Sequence, residues 1–515
     1  MTDKDRLDDS EMSRRNFMGG TAAAGVAVLT PGYIDVSDVS ESGHLDEFTG
    51  FLAGVPEDHV RTYGLDSNPG FIAVLDSDDS DAFSKIQDWA DDESRELVKE
   101  YPDSDRALVA APLHHIVSDG FAQSSNLLAT RDYVESIAVD VEMQIPEEPS
   151  PLREDGEVEH PDPFFIDGFG SGDGVAYRED IDGGTLSDAR EVIDADQVAE
   201  EGSDVTVAVL DDGVDDTVFG DRLVLNENLT DTDTPESDSG HGTWVAEAIA
   251  GNPDDEELEG VAPSVDLQNI KVLTEDGGST ADVAEGVRIA AREGVDVINM
   301  SLGAPMHSPE VGQAMEEALE EHEVSAIVVA AGNSRQTTRW VNSPASFAHE
   351  LDGVITVGAT TVDGPEEAQS AYFSSVGKHD GYTDFSGGET RGGTVTVGAP
   401  GTEIEAPSDT LSGTSMAAPL VSGCLAIGVE VLSPTREEVE DLLEDSSEPA
   451  PSCGVTEIGW GLVNVENIVN GIETDEFQDE VRESGAESRD AANNRLSERQ
   501  ERNLSIQFIR HLRLR

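Results

Sequence analysis

Apolar residues along this chain fall into short runs with two rhythms. Between about residues 43 and 145, apolar stretches at 71–75, 106–111 and 133–140 predict strands, and periodic segments at 81–99 and 123–130 predict helices. From residue 186 the two kinds of run alternate. Strands are expected at 205–210, 267–273, 295–302, 326–331 and 354–358, and helices at 241–250, 280–293, 309–322, 434–444 and about 463–469. The longest apolar run, 420–432, reads as a buried helix with Pro419 tolerated near its start. Strands apolar on both faces, joined by helical crossovers, argue for an α/β unit with a parallel sheet between two helix layers. Residues 146–182 are rich in Pro, Gly, Asp and Glu without a period and read as a linker or exposed loop. Beyond residue 474 core-forming residues thin out, and no internal repeat is visible.

Charge changes this picture most. The 515 residues carry 30 basic and 109 acidic side chains, a formal balance of −79, and only five of the bases are lysine. Such an excess opposes nucleic acid and anionic lipid as partners of the body of the protein. Hydrophobic residues still make up 37% and fall in periodic runs, so the chain reads as folded with an acidic surface and not as disordered. That surface repels itself in dilute solution and is better tolerated at high salt. Residues 495–515 reverse the trend, with six arginines against two glutamates, and read as a solvated tail or as an arm for an anionic surface.

At the other end, Ser13-Arg14-Arg15-Asn16-Phe17-Met18 and the Ala/Gly-rich run to Leu29 resemble a twin-arginine export signal. The run is too short for a stable membrane span, and no other stretch is expected to make one. Export would permit a disulfide between Cys424 and Cys453, the two cysteines, but Cys424 lies on the apolar helix as a packed thiol would, and spacing leaves both readings open. The expected segments are 1–40 (signal), 41–145, 146–185 (acidic linker), 186–473 and 474–515 (polar tail).

Three short segments carry chemistry. Strand 205–210 runs into Asp211-Asp212-Gly213, at the carboxyl end where open α/β sheets place their sites. Ser239-Gly240-His241-Gly242-Thr243 opens a helix, its glycines allowing close approach to a histidine. Gly413-Thr414-Ser415-Met416 turns tightly into the long helix and sets a hydroxyl at its positive end, among free N–H groups suited to an oxyanion. Each alone is weak; Gly-Thr-Ser by itself would be an ordinary helix cap. Together, in the order Asp, His, Ser, they resemble the subtilisin-like serine proteases of peptidase family S8, and within them the halolysin-like enzymes of halophilic archaea. Gly260-Val-Ala-Pro263, Lys271-Val-Leu273, Ile298-Asn-Met-Ser-Leu-Gly303, Ala330-Ala-Gly-Asn333, Gly398-Ala-Pro-Gly401 and Gly459-Trp-Gly-Leu-Val-Asn464 look like further family segments, and Ser343-Pro-Ala-Ser346 is similar to the proteinase K branch.

The resemblance implies a three-layer subtilisin-like fold with a central parallel sheet, preceded by a small α+β, ferredoxin-like pro-domain at 41–145 that acts as an intramolecular inhibitor. The last strand of that pro-domain, in the form Val-x-x-Ile-x-x-Asp, matches Val134, Ile137 and Asp140. It further implies Ser415 as nucleophile, His241 as base and Asp211 as its orienting partner, with Asn333 an oxyanion donor. Asp212 stands where the family usually has Thr or Ser and adds negative charge beside the triad. Ser301-Leu302-Gly303 and Gly277-Gly278 match the two edges that pair with a polypeptide substrate, and Asn342 falls near the pocket floor for the side chain before the cut. The chemistry needs no cofactor. Structural calcium is common in the family, and Asp221 or the loop Asp254-Asp255-Glu256-Glu257 would be its ligands, although so acidic a chain clusters carboxylates in any case. Two rivals stand beside a secreted endopeptidase made as a zymogen: an idle member of the fold that only binds peptides, and an amidase or esterase on small substrates.

Overall fold

The computed structural model describes residues 60–145 and 183–471 apart from short internal stretches, together with residues 34–35 and 175–176. They form two units, one ending at Val139 and the other beginning at Asp140.

In the first unit, β1 (Asn68–Leu75), α1 (Ala82–Ala90), β2 (Glu96–Tyr101), β3 (Arg106–Ala110) and β4 (Val134–Val139) follow in order. The sheet is antiparallel throughout, with spatial order β4-β1-β3-β2 and a further two-residue strand, Ile34–Asp35, beside β4. Phe71, Ala73 and Leu75 of β1 pack with Ile86 and Trp89 of α1 in one core. The helix expected over 81–99 is a correction: it stops at Ala90, and residues 96–101 become an edge strand paired with β3. Leu97 and Tyr101 suit either element, and the backbone partners offered by β3 decide between them. Of the helix expected over 123–130 only a short turn, Leu128–Thr130, lies among the described residues.

The second unit opens with β5 (Glu142–Met143), a short strand without a partner of its own on either side in sequence, and α2 (Leu186–Val192). Then come β6 (Thr206–Asp211), β7 (Leu223–Asn228), α3 (His241–Ala250), β8 (Asp266–Lys271), β9 (Gly278–Ser279), α4 (Thr280–Arg292), β10 (Val297–Met300), α5 (Pro309–Glu321), β11 (Ala326–Ala330), β12 (Val354–Thr360), β13 (Val397–Pro400), α6 (Thr414–Leu432), α7 (Arg436–Ser446) and α8 (Val465–Asn470). The main sheet runs β7-β8-β6-β10-β11-β12, all parallel, with β13 also parallel to β12. Side chains alternate along each strand. Val207 and Val209 of β6 join α3 and α6 in one core, while Ala208 and Leu210 join α4 and α5 in the other. The expected sandwich of helix, sheet and helix is present.

β7 has no counterpart in the sequence reading. Its burial alternates between half-covered and exposed, as suits an edge strand facing solvent, so it lacks the apolar run that announces the others. α6 is long and apolar enough to cross a membrane by length and composition, yet most of it is buried inside the protein as the central core helix.

Candidate active site

The carboxyl end of the sheet gathers the three motifs. β6 ends in Asp211, wholly buried, and α3 begins at His241. The imidazole Nδ1 lies 2.7 Å from Asp211 Oδ1. Burial pushes the Asp211 carboxyl above the usual range, while the charge and hydrogen bond of His241 pull it back toward the anion.

Ser415 is the second residue of α6 and is almost fully buried. Its Oγ donates to the Ser301 carbonyl at 3.3 Å, and Ser301 Oγ donates back to the Ser415 carbonyl at 3.0 Å. Below them, Asn299 Nδ2 donates to Ser301 Oγ (3.1 Å) and Ser422 Oγ to Asn299 Oδ1 (2.9 Å), a buried chain that ties β10 to α6. Ser415 is therefore anchored from the strand as well as from its own helix.

Asn333 follows β11 and is fixed through its oxygen. Oδ1 accepts from Thr414 N (3.0 Å) and from Thr414 Oγ1 (3.1 Å), and Thr414 Oγ1 in turn accepts from Gly332 N at 3.0 Å. With the oxygen committed to Thr414, the NH₂ is the donating end of the amide. Thr414 is a functional residue that the sequence reading missed, since its partner stands 81 positions away. Gly332 has φ of +100°, and a Cβ there would meet Asn342 Nδ2 at 2.7 Å. Asn342 thus reaches over the oxyanion loop; its Cβ would also lie 3.5 Å from one added at Gly303. The side chain packs against Gly332 and Gly303.

Both edges expected to pair with a substrate hold a strand of this chain. β9 pairs antiparallel with β5, Gly278 opposite Met143 and Ser279 opposite Glu142. Across the groove, Gln144 N donates to Gly303 O (3.0 Å) and Gly303 N to Gln144 O (2.9 Å). A Cβ at Gly277 would come within 2.7 Å of Met143 O, so only glycine permits this approach. Just before the strand, the buried Asp140 carboxylate accepts from Ser279 Oγ and Thr280 Oγ1, both at 2.8 Å, at the start of α4. Leu302, between Ser301 and Gly303, is buried in the core behind the edge.

Of the expected calcium ligands, the structure describes Asp221. Asp221 stands exposed in a short turn, and among the described residues no three His, Cys, Asp or Glu are grouped to hold a metal. Asp254-Asp255-Glu256-Glu257 lies outside the described residues, as do Ser13-Arg14-Arg15 and the basic tail. Cys424 and Cys453 are both buried free thiols; burial pushes Cys424 far up, and Cys453 Sγ donates to Ala368 O at 3.5 Å.

Comparison with known proteins agrees with this geometry. A model of the subtilase family, peptidase S8, matches residues 202–484. Subtilisin DY of Bacillus licheniformis is 35% identical over 290 residues, covering 53% of this chain and 95% of that protein. The major intracellular serine protease of Bacillus subtilis is 31% identical over 273 residues, covering 49% of this chain and 78% of that one. Among solved structures, fervidolysin from Fervidobacterium pennivorans, a keratinolytic enzyme related to subtilisin, superposes with a TM-score of 0.55 at 21% identity, covering 82% of this chain and 64% of the other. That likeness concerns the fold.

Proposed function

The chain belongs to the subtilase family and is a serine peptidase of the subtilisin type, and from that premise we propose a secreted, halolysin-like endopeptidase that is made as a zymogen and works in high salt. Ser415 attacks the scissile carbonyl, and its proton passes to His241 Nε2 and then to the leaving amine. Asp211 holds the imidazole tautomer through Nδ1 and stabilises the imidazolium. The oxyanion is received by the Asn333 amide and the Ser415 N–H. Water then releases the acyl-enzyme.

One observation carries the polypeptide reading: β5 lies extended between both edges, hydrogen-bonded at Gly278, Ser279 and Gly303. A groove that binds backbone on two sides accepts many sequences and suits chains better than small amides or esters. The same strand supports the zymogen reading, because the occupant is the chain's own segment directly after Val134, Ile137 and Asp140. The β4-β1-β3-β2 order with α1 after β1 supports a ferredoxin-like inhibitory domain in residues 41–145. Secretion rests on Ser13-Arg14-Arg15-Asn16-Phe17-Met18 alone, since the family does not settle location; one relative is named as intracellular.

The decisive experiment compares the wild-type chain with Ser415→Ala for casein digestion and fluorophosphonate labelling. The wild type should digest and label, the variant neither. An unlabelled wild type would make the chain an idle peptide binder, and labelling without casein digestion would favour the small-substrate reading. Made without other proteases, the variant should stay uncut, with the wild-type cut falling within a few residues after Gln144 by N-terminal sequencing. Normal processing of the variant would exclude self-maturation.

A further inference from the structure

His241 opens α3 without a side chain at the cap position. The residue before it is Gly240, with φ of +89°. The first N–H groups are met instead by Ser237 and Ser239 of the preceding loop and by Asp212 at the end of β6. The Asp212 carboxylate, wholly buried, accepts four hydrogen bonds. Oδ1 takes Gly242 N (2.8 Å) and Ser237 Oγ (2.7 Å), and Oδ2 takes Ser239 N (2.8 Å) and Ser239 Oγ (2.6 Å). Ser237 Oγ and Ser239 Oγ in turn accept from Gly240 N (2.8 Å) and His241 N (3.3 Å). The backbone N–H of Asp212 donates to the same Asp211 Oδ1 that receives the imidazole. One side chain thus joins the loop before α3, the first turn of α3 and the triad aspartate.

The other side of that loop is pinned as well. Lys271, fully buried at the end of β8, donates Nζ to Glu236 O and pairs with Asp238 Oδ1, both at 2.8 Å, while Asn269 Nδ2 donates to Pro235 O at 2.8 Å. We propose that Asp212 is a positioning residue for catalysis, a fixed anion that caps α3 from outside the helix and sets His241 against Asp211. Burial alone would raise its pKa, but the hydrogen bonds from Ser239 and Ser237, the imidazole charge and the Gly242 N–H outweigh it and hold the carboxyl below the usual range. It is therefore ionised at working pH. The charged groups around His241 are Asp211 and Asp212 at the end of β6, with Asp238 on the loop neutralised by Lys271 and Glu236 exposed to solvent. Of these, Asp212 is the anion that does not itself touch the ring nitrogen, and it favours the imidazolium formed when Ser415 is deprotonated.

This rests on the serine-peptidase reading, so the test has one arm that needs no turnover. Asp212→Asn keeps the volume, sets an NH₂ against one pair of donors and removes the charge. In the mature enzyme, with active sites counted by fluorophosphonate, kcat on a peptide substrate should fall about tenfold to a hundredfold, with KM nearly unchanged. The acid limb of kcat/KM should move to lower pH. In the uncut Ser415→Ala precursor, the low-field Nδ1 proton of His241 should titrate at lower pH when Asp212 is replaced, whatever the chain's substrate. Ser239→Ala, which keeps the charge but removes one donor to Asp212 and one acceptor of His241 N, should lower kcat without moving the acid limb down. A lowered melting temperature with kcat per site, acid limb and His241 titration all unchanged would make Asp212 a purely structural residue. If Asp212→Asn does not fold, unaltered kcat in both Ser239→Ala and Ser237→Ala would overturn the proposal equally.

Discussion

Asn333 shows how little of a residue's role lies in its own identity. Its oxygen is held by the backbone and side chain of Thr414, which fixes which end of the amide donates. Asn333→Leu keeps the approximate volume and removes that donor. Because the oxyanion exists only after Ser415 attacks, the loss should fall on kcat, with KM nearly unchanged. The expected size, about 10²–10³, is borrowed from the same donor in subtilisin itself and is not an independent estimate. Probe labelling of Ser415 should slow without vanishing; a near-normal kcat would mean that Asn333 is structural. Thr414→Val should follow in the same direction by a smaller factor, since the backbone N–H still holds Asn333 Oδ1. Asp211, His241, Ser415 and Asn333 stand out in sequence because each sits in a short motif with glycines at its turn. Thr414 and Asp212 were not legible as positioning groups, because their partners are far along the chain and meet them only through the sheet. Asp212 had been read as a bare added charge; four donors make it a built part of the site.

At the scale of elements, the parallel sheet and its crossover helices could be read to within a few residues, since strands buried on both faces leave unbroken apolar runs. α3, expected at 241–250, has those bounds, and α5 begins at Pro309 as its N1 proline suggests. What failed was local: β7, half exposed, and the helix that gives way to β2, where strand pairing overrides an ambiguous period. Packing between elements was invisible altogether. On α5, Gly312 lies against the Phe347 ring so closely that a Cβ would stand 2.3 Å from Cζ and 2.4 Å from Cε1. Gly→Ala in a helix should stabilise by about 1 kcal/mol from propensity. Overpacking a wholly buried ring should cost about 1–3 kcal/mol, and Phe347 has no solvent to turn into. The clash is expected to win. Gly312→Ala in the Ser415→Ala background should melt a few degrees lower than its parent, with Gly312→Val lower still. A raised melting temperature would show that the ring yields and that propensity decides at this site.

For the whole molecule, the balance of charge governs more than any single pair. The formal balance is −79, and several of the thirty cations lie inside, not on the surface. Arg288 meets Glu310 at 2.8 Å and Glu317 at 2.6 Å between α4 and α5, Arg335 meets Glu457 at 2.5 Å, and Lys271 meets Asp238 at 2.8 Å. With the cation of each pair buried, salt screens them less than exposed pairs and they loosen less as its concentration rises. The surface is left strongly acidic, and its carboxylates repel one another over a Debye length of about 10 Å at 0.1 M salt but about 3 Å at 1 M. Shortening that range removes repulsion from the compact state more than from the extended chain, where charges stand further apart. If screening recovers a few kcal/mol over the surface, the melting temperature of the full-length Ser415→Ala chain should rise by roughly 5 °C between 0.1 M and 2 M potassium chloride. Most of the rise should come below about 1 M, where the Debye length changes fastest. Sucrose, which strengthens burial by exclusion without screening charge, should give a much smaller shift. Equal melting temperatures in dilute and molar chloride would remove the halophilic reading, and an equal effect of sucrose would assign the stabilisation to solute exclusion. Neither outcome would touch the contact between Asp211 and His241, a hydrogen bond buried beneath that surface.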